Sequence, residues 1–308
     1  MIGPIAGAYR RAFTGLPAPI WSLAIVAFVN RSGTMVVPFL ILYLTQARGY
    51  STAAAGRILG LYGLGSLAGS YLGGWLSDRI LPRRVLLLSL TFGGIAFLVL
   101  GPLRSGAAIA AAVFGLSLVS EAFRPALATA LAECSAPGER GRAFALSRLA
   151  VNLGMSVGPV LGGFLALHGY HWLFVVDGVT SLLAACVLAA FFRGRTQKPL
   201  PHEAAWSRGP SPWKDRPFLL LALLMSLYGL VFFQLLGAFP LTLRDRFGMA
   251  ENWIGLSLSV NTAIIVLFEM LLVHSLRHAN PYRVIALGSL LMCTGFALLP
   301  LGSGRAFV

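Results

Sequence analysis

Arg31, Glu121, Arg124, Arg148, Asp177 and Glu269 interrupt stretches of the chain that are otherwise apolar for twenty residues or more. A charge in such a place needs a partner or a water-filled cavity. Glu121 and Arg124 are three residues apart, on one face of a helix and within pairing reach. With Arg31 and its neighbour Asn30 they form the constellation best suited to proton chemistry. Burial favours the protonated form of a carboxyl and a nearby cation favours the ionised form, so opposed influences leave a group that changes state when its surroundings open. The plainer alternative is a static ion pair that fixes helix register. Arg31 either lines a cavity or pairs with Glu121. Arg148 and Asn152 are four apart on another helix face. Arg148 and Asp177 read as packing or gating residues, and Glu269 as one that reaches the membrane interface. The candidates for substrate and proton coupling are therefore Arg31, Glu121, Arg124, Asn30 and Asn152. The sequence contains no HExxH, no Ser/His/Asp cluster and no phosphate-cradling glycine loop, so neither an enzyme nor an ATP-driven pump is expected. Cys134, Cys186 and Cys293 are far apart and lack metal-ligand spacing, so no metal or cofactor is expected.

The elements that must position these residues are set by composition. Of 308 residues, 57% are hydrophobic and 11% charged, whereas a soluble domain is about a quarter charged. The chain cannot furnish a soluble surface, and it is too apolar for disorder. Nine stretches, roughly 20–44, 53–77, 84–103, 106–132, 143–166, 171–193, 217–240, 251–274 and 282–301, approach or exceed the ~20 residues that cross a bilayer as helix. Residues 1–19 carry Arg10 and Arg11, but the apolar run that follows is too long for a signal-peptide core.

The net charge of +14 does not indicate a nucleic-acid partner, because the basic residues sit in short segments between spans instead of forming one stripe. With the N-terminus placed in the cytoplasm, 15 of the 24 Lys and Arg fall on the inner side, six on the outer side, and Arg31, Arg124 and Arg148 within spans. That bias favours this orientation. Residues 194–216, with four prolines, read as a cytoplasmic linker. The expected organisation is a six-span bundle over 1–193, the linker, and three further spans over 217–308.

Two motifs go further. Between spans two and three stands Gly74-Trp-Leu-Ser-Asp78-Arg79-Ile-Leu-Pro-Arg83-Arg84, a tight basic loop after an acid at a helix end. Span five carries Gly154, Gly158 and Gly162 on one face, with Pro159 and Gly163. Small residues let another backbone approach closely in lipid, and an internal proline bends a helix. Gly65, Gly69 and Gly73 form a second packing stripe in span two. The loop resembles the signature Gly-x-Leu-Ala-Asp-Arg-x-Gly-Arg-Arg of the major facilitator superfamily, departing at Leu81 (glycine in the family) and Pro82. The span-five segment resembles the Gly-x-x-x-Gly-Pro-x-x-Gly-Gly signature of that superfamily's proton-coupled antiporters.

The resemblance covers nearly the whole chain. It implies an all-α integral membrane bundle with about nine of twelve expected transmembrane helices, arranged as inverted three-helix repeats around a midplane cavity. It also implies alternating access, with a small molecule and protons as partners beside the lipid bilayer, in a monomer of the bacterial plasma membrane. In the family the loop around Asp78 packs against a helix in the part not present here. A truncated, non-transporting remnant or a subunit of a split protein is the alternative expectation.

Overall fold

A computed structural model describes residues 14–136, 138–193, 214–276 and 279–299. These are helical throughout, with no strand among the described residues. The elements, in chain order, are α1 (Ala18–Ser32), α2 (Val36–Leu42) with a π turn (Tyr43–Ala47), α3 (Thr52–Arg79), α4 (Pro82–Leu100), α5 (Gly106–Ser120), α6 (Phe123–Cys134), α7 (Arg140–His168), α8 (His171–Phe191), α9 (Arg216–Phe232) with a 3-10 turn (Phe233–Leu235), α10 (Ala238–Asp245), α11 (Glu251–Ser275) and α12 (Pro281–Leu298). They match the nine expected spans, each within a few residues at either end. Seven are long and apolar enough to cross a bilayer outright. The other two are α3, diluted by seven glycines, and the shorter α12. Most of the expected linker, 194–213, lies outside the described residues.

Large apolar side chains point outward along these helices, among them Leu67, Phe92, Leu183 and Leu230. That surface is unsuited to water and suited to hydrocarbon.

Spans one, four and seven are each made of two helices, which the sequence reading takes as one. The joints are Gly33–Met35, Glu121–Ala122 and the segment from the 3-10 turn to Gly237. Each second helix has proline as its third residue: Pro38, Pro125 and Pro240. A proline there costs the new helix nothing, because the first amides of a helix have no partner within it. It does deny a hydrogen bond to the carbonyl four residues earlier (Thr34, Glu121 and Leu236), so the preceding helix cannot run on. The broken spans are the first, fourth and seventh, so the interruption recurs every three helices.

Glycine stripes press on two of these breaks. A Cβ on Gly65, Gly69 or Gly73 of α3 would come within 2.0–2.6 Å of span four at Ser117, Leu118 and Ala122. One on Gly154, Gly158 or Gly162 of α7 would come within 2.8–3.1 Å of span one between Phe28 and Met35. Span two therefore serves span four as span five serves span one. Spans three and six meet each other through Gly94 and Gly178, whose added Cβ atoms would reach the opposite carbonyl at 2.9 and 3.0 Å. This is the pattern of two inverted three-helix units.

The buried apolar side chains form two layers. One surrounds Ile20, Leu86, Phe123 and Leu188, on the face where the N-terminus enters (the proximal face). The other surrounds Phe39, Leu100, Phe174 and Ile254, toward the opposite, distal face. The breaks of spans one and four lie between the layers.

Candidate functional site

A polar cavity of about 30 Å3 sits between these two breaks, room for one or two waters. Its lining includes Asn30 and Arg31 from span one, Tyr62 from α3, Ser89 from α4, Glu121 from span four and Ser181 from α8. The Nε of Arg31 is buried there with no hydrogen-bond partner, and among the described residues Arg31 joins no ion pair. The Tyr62 side chain lies beside Glu121, within the field of Arg31.

Glu121 pairs with Arg124 at 3.8 Å; the glutamate side chain is 14% exposed and the arginine 68%. The pairing was expected, but not by the route that produces it. The helix ends at Ser120 and restarts at Phe123, so the two residues meet across a break and not along one continuous face. At 3.8 Å the contact exceeds hydrogen-bond length.

The groups that the breaks leave unpaired are satisfied by neighbouring spans. Ser89 Oγ donates to the Val119 carbonyl at 2.8 Å. At the span-one break, Asp177 accepts from the Met35 amide through both carboxylate oxygens at 3.0 Å, and from the Val36 amide at 2.8 Å. Asp177 is fully buried. The sequence places it as a packing or gating residue; its contact with span one, 142 residues away, has no local signal.

Asn152 of α7 is not among the residues that line this cavity. Gly154, Gly158 and Gly162 face span one, while Gly163 faces span eight: a Cβ on it would meet the Glu251 carbonyl at 2.5 Å. Pro159 lies inside α7, which continues through it, and its carbonyl is opposed to Gly255 of α11, whose added Cβ would lie 2.1 Å away. Span five is thus wedged between span one and span eight. Gly255 was not singled out in the sequence, where a lone glycine in an apolar run carries no stripe.

At the distal end of the same contact, Tyr170 Oη donates to Glu251 at 3.1 Å and Arg244 lies 3.6 Å from Glu251. Arg244 also donates to the Met249 carbonyl. Burial, and next the charge of Glu251, hold the Tyr170 phenol above its ordinary range, so it remains a donor. This cluster ties the link between spans five and six to spans seven and eight.

The basic loop between spans two and three needs no glycine at Leu81, because its φ is −55°. Pro82 opens α4 at a position where a missing amide is harmless. Arg79 stacks over Trp75 at 3.9 Å and Arg83 over Phe192 at 5.2 Å. Gly74 is half-buried near Pro125, and Arg84 starts α4 beside Arg83. Asp78 is exposed and, among the described residues, has no side-chain partner.

An apolar groove of about 590 Å3 runs along the proximal half of spans one and five, lined by Trp21, Ile25, Phe28, Leu146, Leu149 and Leu153. Its last residues, Phe28 and Leu153, are next to the turn that carries Arg31 and Gly154.

The family model of the Major Facilitator Superfamily matches residues 20–308. The chain belongs to that superfamily. It is a multi-pass membrane transporter of the secondary, not ATP-driven, kind. Among relatives in the Major Facilitator Superfamily, the MFS-type transporter YqjV of Bacillus subtilis is 25% identical over 306 residues, covering 92% of this chain and 71% of its own length. The multidrug resistance protein MdtH of Aeromonas salmonicida is 25% identical over 283 residues, covering 91% of this chain and 70% of its own. A POT family transporter solved with a thioalcohol-conjugated peptide has the same fold, with a TM-score of 0.68 at 18% identity over 89% of this chain and 72% of that one.

Proposed function

We propose that this protein exports small apolar or amphipathic cations in exchange for protons, by alternating access, with Glu121 as the proton carrier. The observation that carries the reading is the convergence of Glu121, Arg31 and Tyr62 on one water-sized cavity at the breaks of spans one and four. A carboxylate loosely paired at 3.8 Å can accept a proton or a cationic substrate, but not both. Protonation of Glu121 from one side neutralises it. A cation arriving from the other side competes for the carboxylate and displaces the proton, which leaves toward the side the cavity then faces. Competition for one acceptor couples the two fluxes.

The groove along spans one and five supports an apolar substrate: its volume lies in the usual range for ligand sites, about 300–1,000 Å3. The name of the MdtH relative supports drug-like export. Asn30 and Arg124 belong to this site as hydration and counter-charge groups. The loop of Gly74, Asp78, Arg79, Arg83 and Arg84 acts as a gate at the proximal face, which the charge bias assigns to the cytoplasm of a bacterial cell. Residues 1–193 serve as one bundle, 194–216 as the linker, and 217–308 as part of the second bundle. Pro159 and Gly163 form the bearing between the two bundles, and Gly154, Gly158 and Gly162 seat span five on span one.

The test is efflux of tetraphenylphosphonium from proteoliposomes of the full-length protein under an imposed pH gradient. Wild type should accelerate efflux with the gradient, and Glu121→Gln should transport at a rate the gradient does not alter. Equal gradient dependence in the two would remove Glu121 from the mechanism.

A further inference from the structure

We infer that Asp177 is a positioning residue for the proton site: its carboxylate ties span six to the break in span one and thereby fixes where Arg31 stands beside Glu121. This rests on the reading of Glu121 as proton carrier. Segment 31–36 is held from two sides. From α7 glycines press on it, with Gly154 against the Arg31 Cβ and Gly158 against the carbonyls of Arg31, Ser32 and Thr34. From α8 it is gripped. Gly33 is so close to Thr180 that an added Cβ would lie 1.8 Å from the hydroxyl, and one turn earlier Asp177 accepts from the Met35 and Val36 amides at the break. A carboxyl group offers two acceptor oxygens and so suits two converging N–H donors. A carboxyl group in a fully buried place is otherwise costly.

The repeat shows that a break does not require an acid. Gly94 and Gly178 face each other reciprocally, so the residues before them, Gly93 and Asp177, are counterparts in the two inverted units. Gly93 faces Ser120 at the span-four break, and that break is held by the neutral Ser89. Of these two breaks, the acid stands opposite the one that carries Arg31, four residues before Met35. The titratable groups facing Arg31 are Glu121 of span four, itself paired with Arg124, and Tyr62 of α3.

The experiment is the pH profile of tetraphenylphosphonium transport by the full-length protein. Asp177→Asn is compared with wild type and, in an Arg31→Gln background, with that single variant, all normalised to monodisperse protein. A carboxylate that loses a cation's field keeps its proton to higher pH. Asp177→Asn should therefore move the midpoint upward by ~0.5 pH unit, about threefold in proton activity, and should move it no further once Arg31 is gone. Hydrogen exchange at the Met35 and Val36 amides should rise in both backgrounds. An unmoved midpoint in folded Asp177→Asn, or an equal shift with and without Arg31, overturns the inference while leaving the Glu121 reading intact. A wild-type profile without pH dependence sinks both.

Discussion

Gly255→Ala is the most informative single substitution, because the contact it disturbs lies between the first six spans and the eighth. The alanine Cβ would stand 2.1 Å from the Pro159 carbonyl oxygen, where ordinary contact begins at 3.4 Å, so 1.3 Å must be found. Both partners are backbone, and no rotamer can relieve the overlap. The Gly163 Cα lies only 3.2 Å from the same point, which blocks a sideways escape. Overpacking of this kind costs ~1–3 kcal/mol. Separating span eight from span five relieves it, so the cost falls on the state in which they touch. A bias of that size shifts a two-state equilibrium by about 5- to 150-fold. The assay is double electron–electron resonance between spin labels at Trp172 and Trp253, both exposed at the distal face, in a cysteine-free background. Gly255→Ala should enrich the longer distance. Gly60→Ala, where an added Cβ meets nothing within 4 Å, is the control and should leave the distribution unchanged. Equal distributions and equal melting temperatures for the two variants would refute the reasoning.

Other consequences can be checked together. Tyr170→Phe removes the hydrogen bond to Glu251, worth about 1 kcal/mol net, and should raise the open population in the same experiment by roughly fivefold. Because the phenol is held above its ordinary range, its contribution is complete below about pH 10 and is lost only as pH rises beyond that; the distance distribution should not respond to Tyr170 ionisation at neutral pH. Gly69→Leu places its first carbon 2.2 Å from the Leu118 carbonyl and should prevent stable folding, read as loss of a monodisperse peak in detergent. Reporter tags fused after Arg84 and after Lys198 should both report the cytoplasm.

The spans were legible because hydropathy and length decide them: a bilayer leaves the backbone no alternative to helix. The stripes at Gly65/Gly69/Gly73 and Gly154/Gly158/Gly162 were legible as close-approach faces, since a four-residue period needs no partner to be recognised. Their partners were not, because which backbone fills a glycine face is a tertiary matter. The breaks at Gly33–Met35 and Glu121–Ala122 had a signal in Pro38 and Pro125, whose missing amides end the preceding helix, but hydropathy ran through them. The pairing of Glu121 with Arg124 was anticipated on a continuous helix and occurs across a joint instead. Asp177 was noticed as a charge, yet its amide partners on span one could be found only from the fold.

The most direct measurement is proton release when substrate binds. Purified full-length protein in weakly buffered detergent solution, mixed with tetraphenylphosphonium, should release close to ~1 proton for each cation bound if both compete for one carboxylate. The same experiment with Glu121→Gln should show no release. Release of equal size from wild type and Glu121→Gln would contradict the account.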